Sequence, residues 1–222
     1  MRRALAAAVL VACAPSAPGP RAPGESKRAA PEPAFAAFTL AHLPTGADLT
    51  PTAAPGSRIL ELDPHLSAHP KFRAGYAVSL ALSPDARTLA LLTSGYNELT
   101  DSHGKPLPDA RSEYIFFYDV SRGEPVETSV LTVPNAFFGL AFAPSGETLY
   151  ASGGPDDTLV EIERQAPRGW RVGRAVPLGH ASGLGVSQGP LAAGVAVTAD
   201  GARVVVANHE NDSLTVVDAK SG

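Results

Sequence analysis

The sequence predicts an all-β chain of small antiparallel sheets arranged about an axis, and three observations predict it. Leu80-Ala81-Leu82-Ser83-Pro84-Asp85 recurs as Leu140-Ala141-Phe142-Ala143-Pro144-Ser145 and again as Val195-Ala196-Val197-Thr198-Ala199-Asp200. A second apolar run follows each copy: Leu89 to Leu92, Leu149 to Ala151 and Val204 to Ala207. Glycine and proline contribute 21 residues each, as short strands joined by many turns require. Strand-built repeats of this size stack as blades. The expected fold is a partial β-propeller of about three four-stranded antiparallel blades, truncated.

The elements follow in order. Residues 1–13 read as a lipoprotein signal peptide. Arg2 and Arg3 supply positive charge, and Ala4 to Ala12 is an apolar run too short to span a bilayer. Leu10-Val11-Ala12-Cys13 resembles a lipobox, which makes Cys13 the lipidation candidate and a membrane surface the expected partner. Ordinary signal cleavage at Ala12-Cys13-Ala14 is the alternative, and either route exports the chain to the cell envelope, periplasmic or outer-membrane side. Residues 14–34, rich in proline and alanine, read as an extended tether. Residues 35–222 are the incomplete propeller. Phe35 to Leu40 and Arg58 to Leu62 are strand candidates, and this region is the candidate for a strand that completes the last blade.

The first repeat begins near Ala74. Copies are offset by 60 and 55 residues, above the roughly 40–50 of a common blade, so loops carry the surplus. Ala81, Ala141 and Ala196 occupy the centre of each first strand, where crowding at the axis demands a small side chain. Third strands are Tyr114–Asp119, Thr158–Ile162 and Ser213–Asp218; outer strands are Val130–Val133 and Val172–Leu178. Pro177 is tolerable on an outer edge. The third repeat lacks an outer strand. Tyr96–Ser112 and Leu178–Gly194 are long insertions, and such loops gather on one face and carry binding.

Asn208-His209-Glu210-Asn211-Asp212-Ser213-Leu214-Thr215-Val216-Val217-Asp218 resembles the strand–turn–strand signature of YVTN or YncE-type bacterial propellers. Leu43-Pro44-Thr45-Gly46, Thr52 to Ser57, Thr93 to Asn97, Phe117 to Val120 and Gly139 to Pro144 resemble, in that order, the N-terminal half of proteins that join a YncE-like propeller to a phosphoesterase of the alkaline phosphatase superfamily. The resemblance implies a catalytic metal-binding domain C-terminal to these residues, and none of its ligands maps onto this chain.

Chemistry within the chain is sparse. Eighteen basic residues stand against 22 acidic ones with no basic stripe, which argues against nucleic acid as a partner. One cysteine excludes an internal disulfide. Gly185-Val186-Ser187-Gln188-Gly189 matches G-x-S-x-G but lacks the strand-before, helix-after context of a nucleophile elbow. His65 and His69 have i, i+4 spacing, yet Pro64 and Pro70 bracket them, so an exposed loop is expected rather than a zinc pair. Asn97, Glu98, Asp101, Ser102 and His103 are rich in oxygen donors but lack an EF-hand pattern. No cofactor and no catalytic or metal residue is expected. The ligand-binding candidates are the rim loops, carried by Tyr96, Asn97, Asp101, His103, His209, Glu210 and Asn211. Trp170 is expected to pack between blades. The functional expectation is a non-catalytic binding or scaffolding module for an unknown ligand or protein. The alternatives are a propeller enzyme such as a lactonase-like hydrolase and a standalone YncE-like ligand-binding propeller.

Overall fold

A computed structural model describes residues 41–42, 44–46, 48–49 and 60–222, apart from 96, 102, 167–168 and 181–189. The expected signal and tether at 1–34, Cys13, Phe35–Leu40, Tyr96, Ser102 and the Gly185–Gly189 motif all lie outside the described residues. The chain divides into two compact units, Met1–Ile59 and Leu60–Gly222. In the first, β1 (Ala41–His42) pairs antiparallel with β2 (Asp48–Leu49) across the turn at Pro44-Thr45-Gly46.

The second unit holds three antiparallel sheets. Blade 1 is β3 (Ala77–Leu82), β4 (Thr88–Thr93), β5 (Glu113–Asp119) and β6 (Val126–Val133), in that spatial order. Blade 2 is β7 (Leu140–Phe142), β8 (Thr148–Ser152), β9 (Thr158–Gln165) and β10 (Gly169–Pro177). Blade 3 is β11 (Ala192–Val197), β12 (Arg203–Asn208) and β13 (Ser213–Asp218). Each is a meander in which sequence neighbours pair. The fold is a partial β-propeller.

The repeated turn between first and second strands shows why one motif gives one geometry three times. In blade 1 the Ser83 hydroxyl donates to Asp85 Oδ1 at 2.6 Å and accepts from the Thr88 amide at 2.8 Å. In blade 3 the Thr198 hydroxyl donates to Asp200 Oδ1 at 2.5 Å and accepts from the Arg203 amide at 3.0 Å. Blade 2 has Ala143 at the hydroxyl position, and Ser145 Oγ takes the Glu147 amide instead. Short polar side chains bonding to their own backbone are the standard chemistry of such turns. All three close with the same backbone bond, from Ala86, Gly146 and Gly201 to Ser83, Ala143 and Thr198 respectively.

Adjacent blades meet through the same contact. A Cβ on Gly146 would sit 3.6 Å from Pro84 Cδ, and one on Gly201 would sit 3.3 Å from Pro144 Cδ. Each turn therefore lies against the proline of the preceding blade, and the same kind of contact recurs at both junctions.

Between blades 1 and 2 lies the largest core, with Leu92, Ile115, Phe117, Leu149 and Ile162 fully buried. Burial of side chains this size contributes roughly 1.5–3 kcal/mol each. Trp170 stacks on Phe117 at 4.7 Å and meets Phe142 edge-on at 5.7 Å, which is the inter-blade packing expected of it. A second core of Leu159, Val204 and Val206 joins blades 2 and 3. Arg174 on β10 reinforces it, binding Glu161 at 2.6 Å and the Ala219 carbonyl at 3.3 Å.

Three sequence expectations need correction. Leu60–Leu62 form no strand; 60–75 run irregularly over the outer face of blade 1, where Leu62, Leu66 and Phe72 cover Tyr114, Phe116 and Tyr118. Burial of those aromatics, not strand pairing, holds this segment. The outer strands begin earlier than read, at Val126 and Gly169, because their hairpins extend the ladder beyond the apolar run. The tight approach between first strands falls at Gly139, where a Cβ would lie 2.1 Å from the Ala193 carbonyl oxygen, and not at the central alanines, of which Ala196 is exposed. Blade 3, as an open array of repeats implies, leaves a face uncovered: Leu214 and Val216 are 68% and 55% exposed.

Candidate functional site

In an antiparallel meander, loops alternate between the two ends of the sheet. The β4–β5, β8–β9 and β12–β13 connections therefore share one end, together with the segments that lead from β6 to β7 and from β10 to β11. This rim carries the described parts of both long insertions and the described rim residues singled out from the sequence, Asn97, Asp101, His103, His209, Glu210 and Asn211.

The structure separates those residues by role. Asn97 is 2% exposed and ties the insertion to its base: its Oδ1 accepts the Gly75 amide at 2.6 Å, and its Nδ2 donates to Thr93 Oγ1 and the Ser112 carbonyl, both at 3.3 Å. With its polar atoms so engaged it is a bracket for the insertion and does not face a ligand. Asp101 Oδ1 accepts the amides of His103 and Lys105 at 2.8 and 2.9 Å, which folds the insertion tip. His103 stands exposed on that tip. His209 is exposed, and its amide donates to the Leu191 carbonyl at 3.0 Å. Glu210 is half-buried and its amide bonds to Pro190 O at 3.0 Å. The first insertion and the Asn208–Ser213 turn sit on different blades.

A polar chain at the junction of blades 2 and 3 went unread in the sequence. Asp157, at the end of the β8–β9 turn with φ 52°, accepts the His180 amide at 2.7 Å on one oxygen and faces His180 Nδ1 at 2.9 Å with the other. That contact places the imidazole hydrogen on Nδ1. Nε2 then faces the Thr215 hydroxyl at 3.4 Å. Thr215 Oγ1 and Ser213 Oγ both accept from Asn208 Nδ2 at 2.9 Å, and Ser213 Oγ donates to Asn211 Oδ1 at 2.7 Å.

The chain ends on two orphans. Asn208 is 2% exposed, yet its Oδ1 has no partner, and neither does the buried Nδ2 of Asn211. Turning the Asn208 amide around does not cure this, since it only exchanges the unpaired oxygen for an unpaired Nδ2 at the same place. A buried unpaired acceptor costs about 1–3 kcal/mol. The arrangement has the means to bind a polar group: one acceptor, one donor and an oriented imidazole with a hydroxyl beside it. Asn208 and Asn211 carry a sequence signal, the Asn-rich turn of the third repeat. Asp157 and His180 carry none, because they come from separate loops with no fixed spacing.

Among the described residues no group of three or more His, Cys, Asp or Glu side chains could hold a metal ion, and no helix is long and apolar enough to cross a membrane. His65 instead pairs with Glu127 at 2.6 Å, tying the 60–75 segment to β6.

No family model matches the chain, and no curated protein matches it. Solved structures do. The hydrazine synthase of Kuenenia stuttgartiensis is 16% identical with a TM-score of 0.43, over 65% of this chain and 46% of that one. The periplasmic gluconolactonase PpgL of Pseudomonas aeruginosa is 15% identical with a TM-score of 0.47, over 66% of this chain and 40% of that one. This chain thus spans less than half the length of either. Likeness at this level carries no information about activity.

Proposed function

We propose that this chain is a non-catalytic binding module whose ligand docks on the rim at the junction of blades 2 and 3. The observation that carries the reading is that Asn208 Oδ1 and Asn211 Nδ2, on side chains that both bond Ser213 Oγ, are buried without a partner among the described residues. A ligand that supplies one hydrogen-bond donor and one acceptor there relieves both orphans at once. His209 and Glu210, on the same turn, extend the contact surface. On the resemblance of its ordered motifs, the module belongs to an exported bacterial lipoprotein, anchored through Cys13 and followed by a metal-dependent phosphoesterase domain that performs the catalysis.

Side-chain amide resonances of ¹⁵N-labelled protein test the binding reading during titration with small polyols and hydroxy acids. Saturable shifts confined to Asn208 and Asn211, abolished by Asn208→Ala, support it. Coding sequence downstream of Gly222 that lacks a metal-ligand-rich domain contradicts the fusion.

A second reading has its own observation. Asp157, His180 and Thr215 follow the connectivity of an acid–base–nucleophile relay, as a lactonase-like propeller hydrolase would need. The hydroxyl is half-buried on strand β13 and sits 3.4 Å from Nε2, which ranks this reading second. Hydrolysis of a lactone by this chain, lost on His180→Ala, would reverse the ranking.

A further inference from the structure

The opposite end of blades 1 and 2 holds a cavity of about 350 Å³, built from the β3–β4 and β5–β6 turns of blade 1 and the β9–β10 hairpin of blade 2. Its walls bring together Arg87, Arg122 and Arg164 with Asp85, Asp119 and Trp170. These residues come from three separate stretches of sequence, and the rim site uses none of them.

The two carboxylates are engaged by their own turns. Asp85 Oδ1 accepts the Ser83 hydroxyl at 2.6 Å and the Arg87 amide at 3.1 Å. Asp119 Oδ1 accepts the Ser121 amide at 2.9 Å and its hydroxyl at 2.6 Å. The guanidinium groups are less committed. Among the described residues neither Arg87 nor Arg122 forms an ion pair, and Arg164 reaches Glu147 only at 3.7 Å. Arg164 instead lies 5.7 Å from the centroid of the Trp170 ring, a cation–π placement that holds it at the cavity wall. Three guanidinium groups and two carboxylates line the space, and Glu147 pairs with Arg164, so Arg87 and Arg122 are the cations there that no described carboxylate pairs. Guanidinium forks match the paired oxygens of phosphate and carboxylate. The volume falls at the small end of ligand sites, which start at about 300 Å³.

We propose that this cleft is an oxyanion site, taking a small molecule through a phosphate or carboxylate group held by Arg87, Arg122 and Arg164. Trp170 is the one tryptophan of the chain and lines the cavity, so its emission reports on the site directly. The test titrates the full chain with inorganic phosphate in one arm and citrate in the other, with sodium chloride at matched ionic strength as reference. Calorimetry runs alongside. The expected result is a saturable emission change and a binding heat with at least one of the two oxyanions. Saturation by phosphate alone assigns the phosphate class, and by citrate alone the carboxylate class. Arg122→Gln and Arg87→Gln, both checked for native circular dichroism, are expected to weaken the response at least fivefold. Emission that follows sodium chloride in both arms, with no binding heat, overturns the proposal. So does saturation that both glutamine variants leave unchanged.

Discussion

Ala86 holds φ at 56° in the turn where the other two blades place Gly146 and Gly201, at 74° and 71°. An L-residue in that region pays about 1–2 kcal/mol, whereas glycine adopts it freely at some cost in unfolded-chain entropy. Ala86→Gly is therefore expected to stabilise the protein by roughly 0.5–1 kcal/mol. Gly201→Ala should do the reverse by a larger margin, since its methyl also presses on Pro144. Midpoints of urea unfolding check both signs. Gly139→Ala is a separate case. Its methyl would collide with the Ala193 carbonyl oxygen and Val195, which requires blade 3 to move. We expect a loss of roughly 2–3 kcal/mol. Gly123→Ala, at φ 93° with nothing within 4 Å, is the matched control that has strain without collision.

The strands themselves were legible because burial imposes a periodic apolar signal, and the turns because serine, threonine and aspartate recur at fixed offsets. The 60–75 segment was illegible as a cover: Leu62, Leu66 and Phe72 follow neither a two-residue nor a helical period, and only the aromatic face of β5 gives them a place. The Asp157–His180 pair was hidden for the same reason, since loops from different elements meet only in three dimensions. The cover also carries a pH dependence. Its hydrogen bond to Glu127 raises the His65 pKa above 6.5, with Asp63 acting the same way. A group whose folded pKa exceeds its unfolded value lends stability that is complete below about pH 6.5 and fades as pH rises through the folded value. His65 is largely exposed, so the effect is small. Urea midpoints between pH 5.5 and 8.5 should fall slightly more for the native chain than for His65→Gln. At the inter-blade seam, Trp170→Leu removes the stack on Phe117 and is expected to cost about 2–3 kcal/mol, read by the shift in thermal midpoint.

For the molecule as a whole, the three sheets do not close. Strand β13 presents an unpaired edge and, with β12, a face on which Leu214, Val216 and Val205 adjoin. Exposed edges and apolar faces template association. Light scattering of this chain alone should show mass rising with concentration, and Leu214→Lys with Val216→Glu should suppress the rise. A monodisperse monomer at high concentration would contradict the open edge.

The proline-on-glycine seat between successive turns acts as a stepping gauge. Because Pro84 faces Gly146 as Pro144 faces Gly201, each with room for about a methyl group between them, the approach of one sheet to the next is limited locally by two small residues. At the matching place in the last turn stands Ala199, a narrower shoulder. Any neighbour seated there would therefore settle closer and swing by a different increment, so that the circle need not be evenly divided.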